Sequence, residues 1–311
     1  MASKRYRLGT RNSALALAQA RWVAAELGKR GIDCDLVEIT SSGDQDRSRP
    51  LYEMEDLNPG LFCKRLQEAL LRDEIDLAVH SLKDLPTLPP PGLKVFAVPE
   101  RVSVRDCLLV HPGSYSPDLP LGLATGCTVG TSSLRREAQL LSLRPDVKVV
   151  SLRGNVPSRV AQVRDGKLGA AILAEAGLDR LGLALEGVRR AALREDDFIP
   201  APAQGALGVE ARESSEPALA AALHALNQPD LEKRTRIERR ILRDLEGGCT
   251  LPLGVLCEPA AGGKYRVRAF LGAYQMSGEA RRDWVSFRRF DISLEDEDAL
   301  VAQVVAHFRG P

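Results

Sequence analysis

A short apolar run, Ile75-Asp76-Leu77-Ala78-Val79, ends abruptly in His80-Ser81-Leu82-Lys83-Asp84-Leu85-Pro86, a packet of side chains that can donate, accept and carry charge. The apolar part can be buried, whereas polar groups lose free energy on burial unless they are partnered, so the polar end is expected to stay open. Pro86 and the following Leu88-Pro89-Pro90-Pro91 stop a helix from absorbing these groups as ordinary surface. Open α/β sheets bind ligands at the carboxyl ends of their strands, so a small polar ligand is expected beside Asp84. An aspartate there can accept N–H hydrogen bonds and move protons.

Arginines recur at similar places. Gly9-Thr10-Arg11-Asn12-Ser13 links a strand to the helix pattern Ala14 to Trp22. Helix-start amides, the Ser13 hydroxyl and the Arg11 guanidinium can converge on a carboxylate or phosphate; a plain N-cap beside a surface arginine is the other reading. The design returns in Val129-Gly130-Thr131-Ser132-Ser133-Leu134-Arg135-Arg136, where Thr131 and Ser133 supply hydroxyls. Arg135 and Arg136 lie about 100° apart around a helix, so both can lean toward one mouth while contacting different acidic groups. Arg153 ends the strand Val147 to Leu152, Pro157 suits a first helical turn that leaves Arg159 inside the helix, and Arg180 follows the strand Ala170 to Ala174. A single such arginine is ordinarily solvated or salt-bridged; recurrence at strand ends weakens that reading. Cys249, in Leu245-Glu246-Gly247-Gly248-Cys249, follows a helix on a turn of glycines. It is either a small buried apolar residue or a reactive, covalently modified thiol. No protease-like His or Asn spacing surrounds it.

These groups need a scaffold of alternating strands and helices. Strand patterns at 6–8, 35–39, 75–79, 93–98, 107–110, 147–152 and 170–174 alternate with helix patterns, which favours α/β. Residues 40–60 lack periodicity and read as a lid, a binding loop or plain disorder. The Pro- and Gly-rich stretch Ile199 to Gly208 reads as a domain crossing that leads into a strand. Helices at 217–226 and 230–245, strands at 255–257, 265–271 and 284–290, and a terminal helix at 296–308 suggest a small α+β domain carrying Cys249. A chain of 311 residues suits two or three domains. Its 43 basic and 42 acidic residues leave a net charge of +1, which argues against a nucleic-acid or membrane surface. No secretory or membrane-spanning apolar run is evident, so a cytoplasmic protein is expected. Six cysteines without CxxC or His-rich spacing predict reduced thiols and no metal site. Neither GxxxxGK nor GxGxxG follows a strand.

Taken together, Gly9 to Ser13, Ala78 to Pro86, Val129 to Arg136, Leu152-Arg153-Gly154-Asn155-Val156 and Leu245 to Cys249 resemble the porphobilinogen deaminase family, also called hydroxymethylbilane synthases. The resemblance implies two α/β lobes similar to type-II periplasmic binding proteins plus a smaller α+β third domain. Its domains would be 1–104 with 200–223, 105–199, and 224–311, with the active site in the cleft between lobes. It further implies a dipyrromethane cofactor, made from the enzyme's own substrate and attached through a thioether to Cys249. Four porphobilinogen molecules would be joined head to tail with loss of ammonia, and hydroxymethylbilane released. Asp84 would be catalytic. Arg11, Ser13, Ser81, Lys83, Thr131, Ser133, Arg135, Arg136, Arg153, Arg159, Arg180 and Gln204 would bind cofactor or substrate, and Phe62 would be a lid contact. Porphobilinogen and the growing linear polypyrrole would be the partners of a monomer.

The chain departs from the family pattern at Asn58-Pro59, where a lysine is common, at Arg65, and at Ala203, where glycine is frequent. Two other classes share some of these features: a non-enzymatic binder of acidic small molecules, and a transferase that uses Cys249 as a transient nucleophile. Asp84 together with Cys249 favours the deaminase reading.

Overall fold

The computed structural model describes residues 4–39, 61–246, 251–277 and 281–310. In chain order the first stretch forms β1 (Arg5–Thr10), α1 (Ala14–Gly28), β2 (Asp33–Glu38), α2 (Leu61–Leu71), β3 (Leu77–Ser81), a 3-10 turn (Leu82–Asp84) and β4 (Leu93–Ala97). The next forms β5 (Asp106–Val110), β6 (Thr128–Gly130), α3 (Leu134–Leu143), β7 (Lys148–Val150), α4 (Val156–Arg164), β8 (Ala170–Ala174), α5 (Glu175–Leu181) and β9 (Arg189–Ala192). Then come β10 (Leu207–Arg212), α6 (Pro217–Leu226), α7 (Pro229–Asp244), β11 (Leu253–Pro259), β12 (Tyr265–Ser277), β13 (Arg281–Leu294) and α8 (Glu297–Arg309).

The described strands make two five-stranded sheets, β2-β1-β3-β10-β4 and β7-β6-β8-β5-β9, and a three-stranded sheet, β11-β12-β13. Both larger sheets follow one plan. A parallel triplet, β2-β1-β3 or β7-β6-β8, is extended by a strand running against it, β10 or β5. Two five-stranded sheets flanked by helices, with a separate three-stranded sheet under its own helix, give the mixed α/β class expected from the sequence.

Burial explains the composition of the strands. β5 is buried along its whole length, and β3, β8 and β10 along all but their last residue, so these strands read as nearly continuous apolar runs. β9 does not. All four residues of Arg189–Ala192 are exposed where it pairs with β5 at the sheet edge, and no apolar pattern announces it.

The chain divides into two compact units, Met1–Ser103 with Gln204–Arg236, and Val104–Ala203 with Ile237–Pro311. In the first, Tyr6, Leu8, Leu77, Val79 and Val209 of the sheet pack with Val23 and Leu27 of α1 and Leu223 of α6. In the second, Leu108, Val129, Leu140 and Ile172 form one core, while Leu300, Val301, Val304, Val305 and Phe308 of α8 cover the three-stranded sheet. That helical stripe at i, i+1, i+4, i+5 and i+8 is what makes α8 amphipathic.

Two residues at the crossing have left-handed backbone. Gly205 has φ +84°, and a Cβ there would stand 2.5 Å from the Ser103 carbonyl oxygen. Ala203, at φ +60°, holds that conformation without being glycine, and its N–H donates to Glu238 Oε2 at 2.6 Å.

Candidate functional site

In the first unit, β3 ends at Ser81 and the 3-10 turn presents Asp84 exposed to solvent, while Leu82 and Leu85 on either side are buried. Alternation between buried leucines and polar residues is what turns the Lys83 and Asp84 positions outward. Ser81 Oγ accepts from Gln19 Nε2 of α1 at 2.9 Å, which ties the strand end to that helix. His80 departs from the expectation of an open polar end. It is 4 % exposed, with Nε2 3.0 Å from Glu210 Oε2 on the neighbouring β10. Burial lowers the His80 pKa, but its interactions with Cys63 and with the Glu210 carboxylate outweigh that and push it up to about 10. The imidazole can be buried because it is paired.

At the other strand end in this unit, Ser13 Oγ caps α1 by accepting from the Ala16 N–H at 3.2 Å. Arg11 is half-buried beside it. A Cβ on Gly9 would meet the Ile75 side chain at 2.3 Å, so glycine lets the end of β1 lie against the segment leading to Asp84. Gln204 is fully buried, and its carbonyl accepts from Arg101 Nε at 2.9 Å.

In the second unit, Arg135 and Arg136 at the start of α3 meet one acidic group rather than two. Arg135 Nη1 donates to Asp106 Oδ2 at 2.7 Å, and Arg136 Nε and Nη2 donate to Asp106 Oδ1 at 2.9 and 2.7 Å. Ile199 O and Ile172 O accept one further bond from each arginine. All three side chains are buried. Burial raises the Asp106 carboxyl, and the Arg135 and Arg136 charges outweigh it and hold the group well below the usual carboxylate range; burial draws Arg135 down. Because consecutive helix residues splay by about 100°, both guanidiniums reach a single carboxylate at the end of β5 from two sides.

The other basic groups of this unit are less enclosed. Ser132 Oγ donates to Leu152 O at 2.8 Å and accepts from Leu152 N–H at 2.9 Å, fixing the residue before Arg153. Arg153 is half-buried, and burial lowers its pKa. Pro157 lies in the first turn of α4, as expected, Asn155 caps that helix, and Arg159 Nε donates to Gly154 O at 2.8 Å. Arg180 stands half-buried in the last turn of α5. Thr131 is buried, and its Oγ1 accepts from the Ser133 N–H at 3.2 Å. Cys249, the Asn58-Pro59 departure, the 40–60 segment and the Phe62 side chain lie outside the described residues. Cys34, Cys63, Cys107, Cys127 and Cys257 are free thiols, and burial pushes Cys34 and Cys107 up to about 12, a poor state for a nucleophile.

Sequence reasoning missed Asp106, Glu210, Gln67, Gln19 and Cys63. Two of them carried a signal: Asp106 opens the apolar run Cys107-Leu108-Leu109-Val110, and Glu210 interrupts Leu207-Gly208-Val209-Glu210-Ala211. A carboxylate inside a buried strand implies a partner.

A sequence model described as "Porphobilinogen deaminase, dipyromethane cofactor binding domain" matches residues 6–220. Among curated relatives, the chain is similar to a porphobilinogen deaminase of Pelobacter propionicus, 44% identical over 81% of this chain and 79% of that one. One of Geobacter sulfurreducens is also 44% identical, over 81% of this chain and 77% of that one. Another, of Citrifermentans bemidjiense, is 42% identical over 88% and 83%.

Proposed function

This chain belongs to the porphobilinogen deaminase family, and from that premise we propose that Asp84 manages the reacting pyrroles while arginines at the strand ends hold their carboxylates. The reaction is the transferase reaction of the family: four porphobilinogen molecules are condensed with loss of ammonia to give hydroxymethylbilane, on a dipyrromethane cofactor. The observation that carries the residue-level reading is the exposed Asp84 carboxylate on a 3-10 turn directly after a buried strand.

The chemistry of the chain's donor groups fits a dipyrromethane, whose acetates and propionates need cationic, planar partners. Half-buried Arg11, Arg153, Arg159 and Arg180, with Ser13, Ser81 and Lys83, are suited to hold them. Arg135, Arg136, Thr131, Ser133 and Gln204 complete the binding set in this reading, the two buried arginines keeping positive charge beside the start of α3. Cys249 is the attachment point, through a thioether. When bound, the cofactor supplies the free pyrrole α-carbon to which the first substrate is joined.

The aminomethyl C–N bond of porphobilinogen breaks as electron density flows from the pyrrole nitrogen, and ammonia departs. Asp84 accepts the pyrrole N–H and stabilises the positive charge that develops on the ring. As the new C–C bond forms at the attacking α-carbon, that carbon loses its proton, and the same carboxylate assists the transfer. The arginines neutralise the substrate's carboxylates and fix the two rings in attacking order.

We also read the chain as three domains, 1–104 with 200–223, 105–199 and 224–311; the separate β11-β12-β13 sheet with its own core under α8 supports the third. We read the protein as a cytoplasmic monomer whose partners are porphobilinogen and the growing polypyrrole. Among the described residues no helix is long and apolar enough to cross a membrane.

The test pairs turnover with mass. Asp84→Ala should fold and lose roughly a hundredfold or more in ammonia release, the scale of lost general acid–base catalysis; near-parental turnover would overturn the assignment. Denatured intact mass should show the parent heavier by two linked pyrrole units and Cys249→Ser without them. An unmodified parent of full activity would overturn the attachment.

A further inference from the structure

Asp84 ends a 3-10 turn of three residues, too short to set its own direction. Behind that turn lies a chain of buried polar groups drawn from three elements. The Cys63 thiol of α2 donates to the backbone carbonyl of Asp84, with Sγ 3.3 Å from the oxygen. His80 of β3 interacts with the same Cys63 side chain, which helps raise its pKa, and sets Nε2 3.0 Å from Glu210 Oε2 of β10 as an ion pair. The other Glu210 oxygen accepts from Gln67 Nε2 of α2 at 2.9 Å. Cys63, Gln67 and His80 are each 4 % exposed and Glu210 is fully buried.

Stability alone is a weak account of this arrangement, because a buried ion pair is often matched or exceeded by apolar residues of similar volume. Its geometry has a clearer consequence. Cys63 and Gln67 are four residues apart, so they share one face of α2 and grip the network at both ends. Glu210 pairs in register with Ala78, and Leu82 N–H donates to Ala206 O at 3.0 Å, so β10 holds the strand and the turn together. With one ring nitrogen of His80 on the carboxylate, the other is left for the thiol. A hydrogen bond from a charged imidazole polarises the S–H toward the Asp84 carbonyl.

We propose that Cys63, His80, Glu210 and Gln67 form a positioning relay that orients Asp84 toward the reacting pyrroles. The proposal rests on the reading of Asp84 as the catalytic carboxylate. None of the four touches substrate in this scheme; they act through the Asp84 backbone, and Cys63 makes the final contact.

The test compares Cys63→Ala, which removes the donor, with Cys63→Ser, which supplies a hydroxyl in its place, in the full-length loaded enzyme. Steady-state ammonia release, melting temperature and denatured intact mass are measured on each. Misplacing a reacting group by about 1 Å can cost about a hundredfold, so a fraction of that shift should make Cys63→Ala lose about tenfold in kcat. Its KM, melting temperature and loaded mass should stay close to the parent's, and Cys63→Ser should recover most of the rate. Glu210→Gln should lower kcat from the far end of the relay. In an Asp84→Ala background, Cys63→Ala should add no further loss.

Parental kcat in both Cys63→Ala and Glu210→Gln would overturn the relay. So would a loss that follows melting temperature and is not restored by serine, or a further tenfold loss on top of Asp84→Ala. Near-parental turnover of Asp84→Ala itself would instead overturn the catalytic reading on which the relay depends.

Discussion

Asp106→Asn removes one negative charge from a buried cluster while leaving its shape nearly intact. Three charge-assisted hydrogen bonds, at 2.7, 2.9 and 2.7 Å, then lose their anionic acceptor, and the new amide N–H atoms face guanidinium donors. Arg135 and Arg136 keep only the backbone oxygens of Ile199 and Ile172 among these partners. Breaking a buried pair by removing one partner costs about 3–5 kcal/mol, because the remaining charge is left uncompensated. With a urea slope of about 2 kcal/mol per molar, that loss moves the unfolding midpoint down by about 2 M. The sequence has two tryptophans, and Trp284 Nε1 lies 3.4 Å from Glu137 on the same helix as the arginines. Its fluorescence in a Trp22→Phe background therefore reports the correct region. The pH dependence has a definite sign: Asp106 titrates below its ordinary 3.8 when folded, so its contribution is full above that value and fades as pH falls through the folded pKa. The gap between parent and variant should narrow on acidification below 3.8. A destabilisation under about 1 kcal/mol at neutral pH, the scale of an exposed ion pair, would refute the reasoning.

His80 gives the opposite sign, because its folded pKa is raised from 6.5 to about 10. Its contribution is complete below 6.5 and is lost as pH climbs toward 10, so the parent should lose melting temperature across that window more steeply than His80→Gln; parallel slopes would count against the raised pKa. Gly205→Ala and Gly182→Ala both place alanine at positive φ, +84° and +55°, but the added Cβ stands 2.5 Å from a backbone oxygen only in the first. Left-handed backbone alone costs about 1–2 kcal/mol, so Gly182→Ala should lose about that much in chemical denaturation, and Gly205→Ala measurably more; equal losses would show that the Ser103 segment yields freely.

What could be read from the sequence was local. The cap at Ser13, the helical start at Pro157 and the buried apolar run before Asp84 each follow from neighbouring residues, although β3 runs two residues further along, Leu77–Ser81, than the apolar pattern suggests. Asp84 was legible for the same reason, since the leucines that turn it outward are its own neighbours. The partners were not. Asp106 lies 29 and 30 positions from its arginines, and Glu210 lies on a strand that returns to β3 after the whole second stretch of sheet has formed. His80 looks identical in sequence whether it faces solvent or a buried carboxylate, and only the pairing of β10 with β3 decides between them. β9 was missed because an exposed edge strand of Arg189-Arg190-Ala191-Ala192 needs no apolar alternation.

The position of β10 also orders events in time. It sits between β3 and β4, yet it is made only after residue 206. While the nascent chain is shorter than that, β3 and β4 lack the strand that joins them, His80 has no Glu210, and the backbone before Asp84 has no Ala206 to hold it. At roughly 5–20 residues per second, the ribosome imposes a wait of about 5–20 seconds between β4 and β10. The second sheet, whose strands run without interruption from β5 to β9, can assemble during that wait. Asp84 is thus among the earlier residues synthesised and among the later ones set in place, and until β10 arrives β3 and β4 keep unpaired edges of the kind that invite non-native pairing.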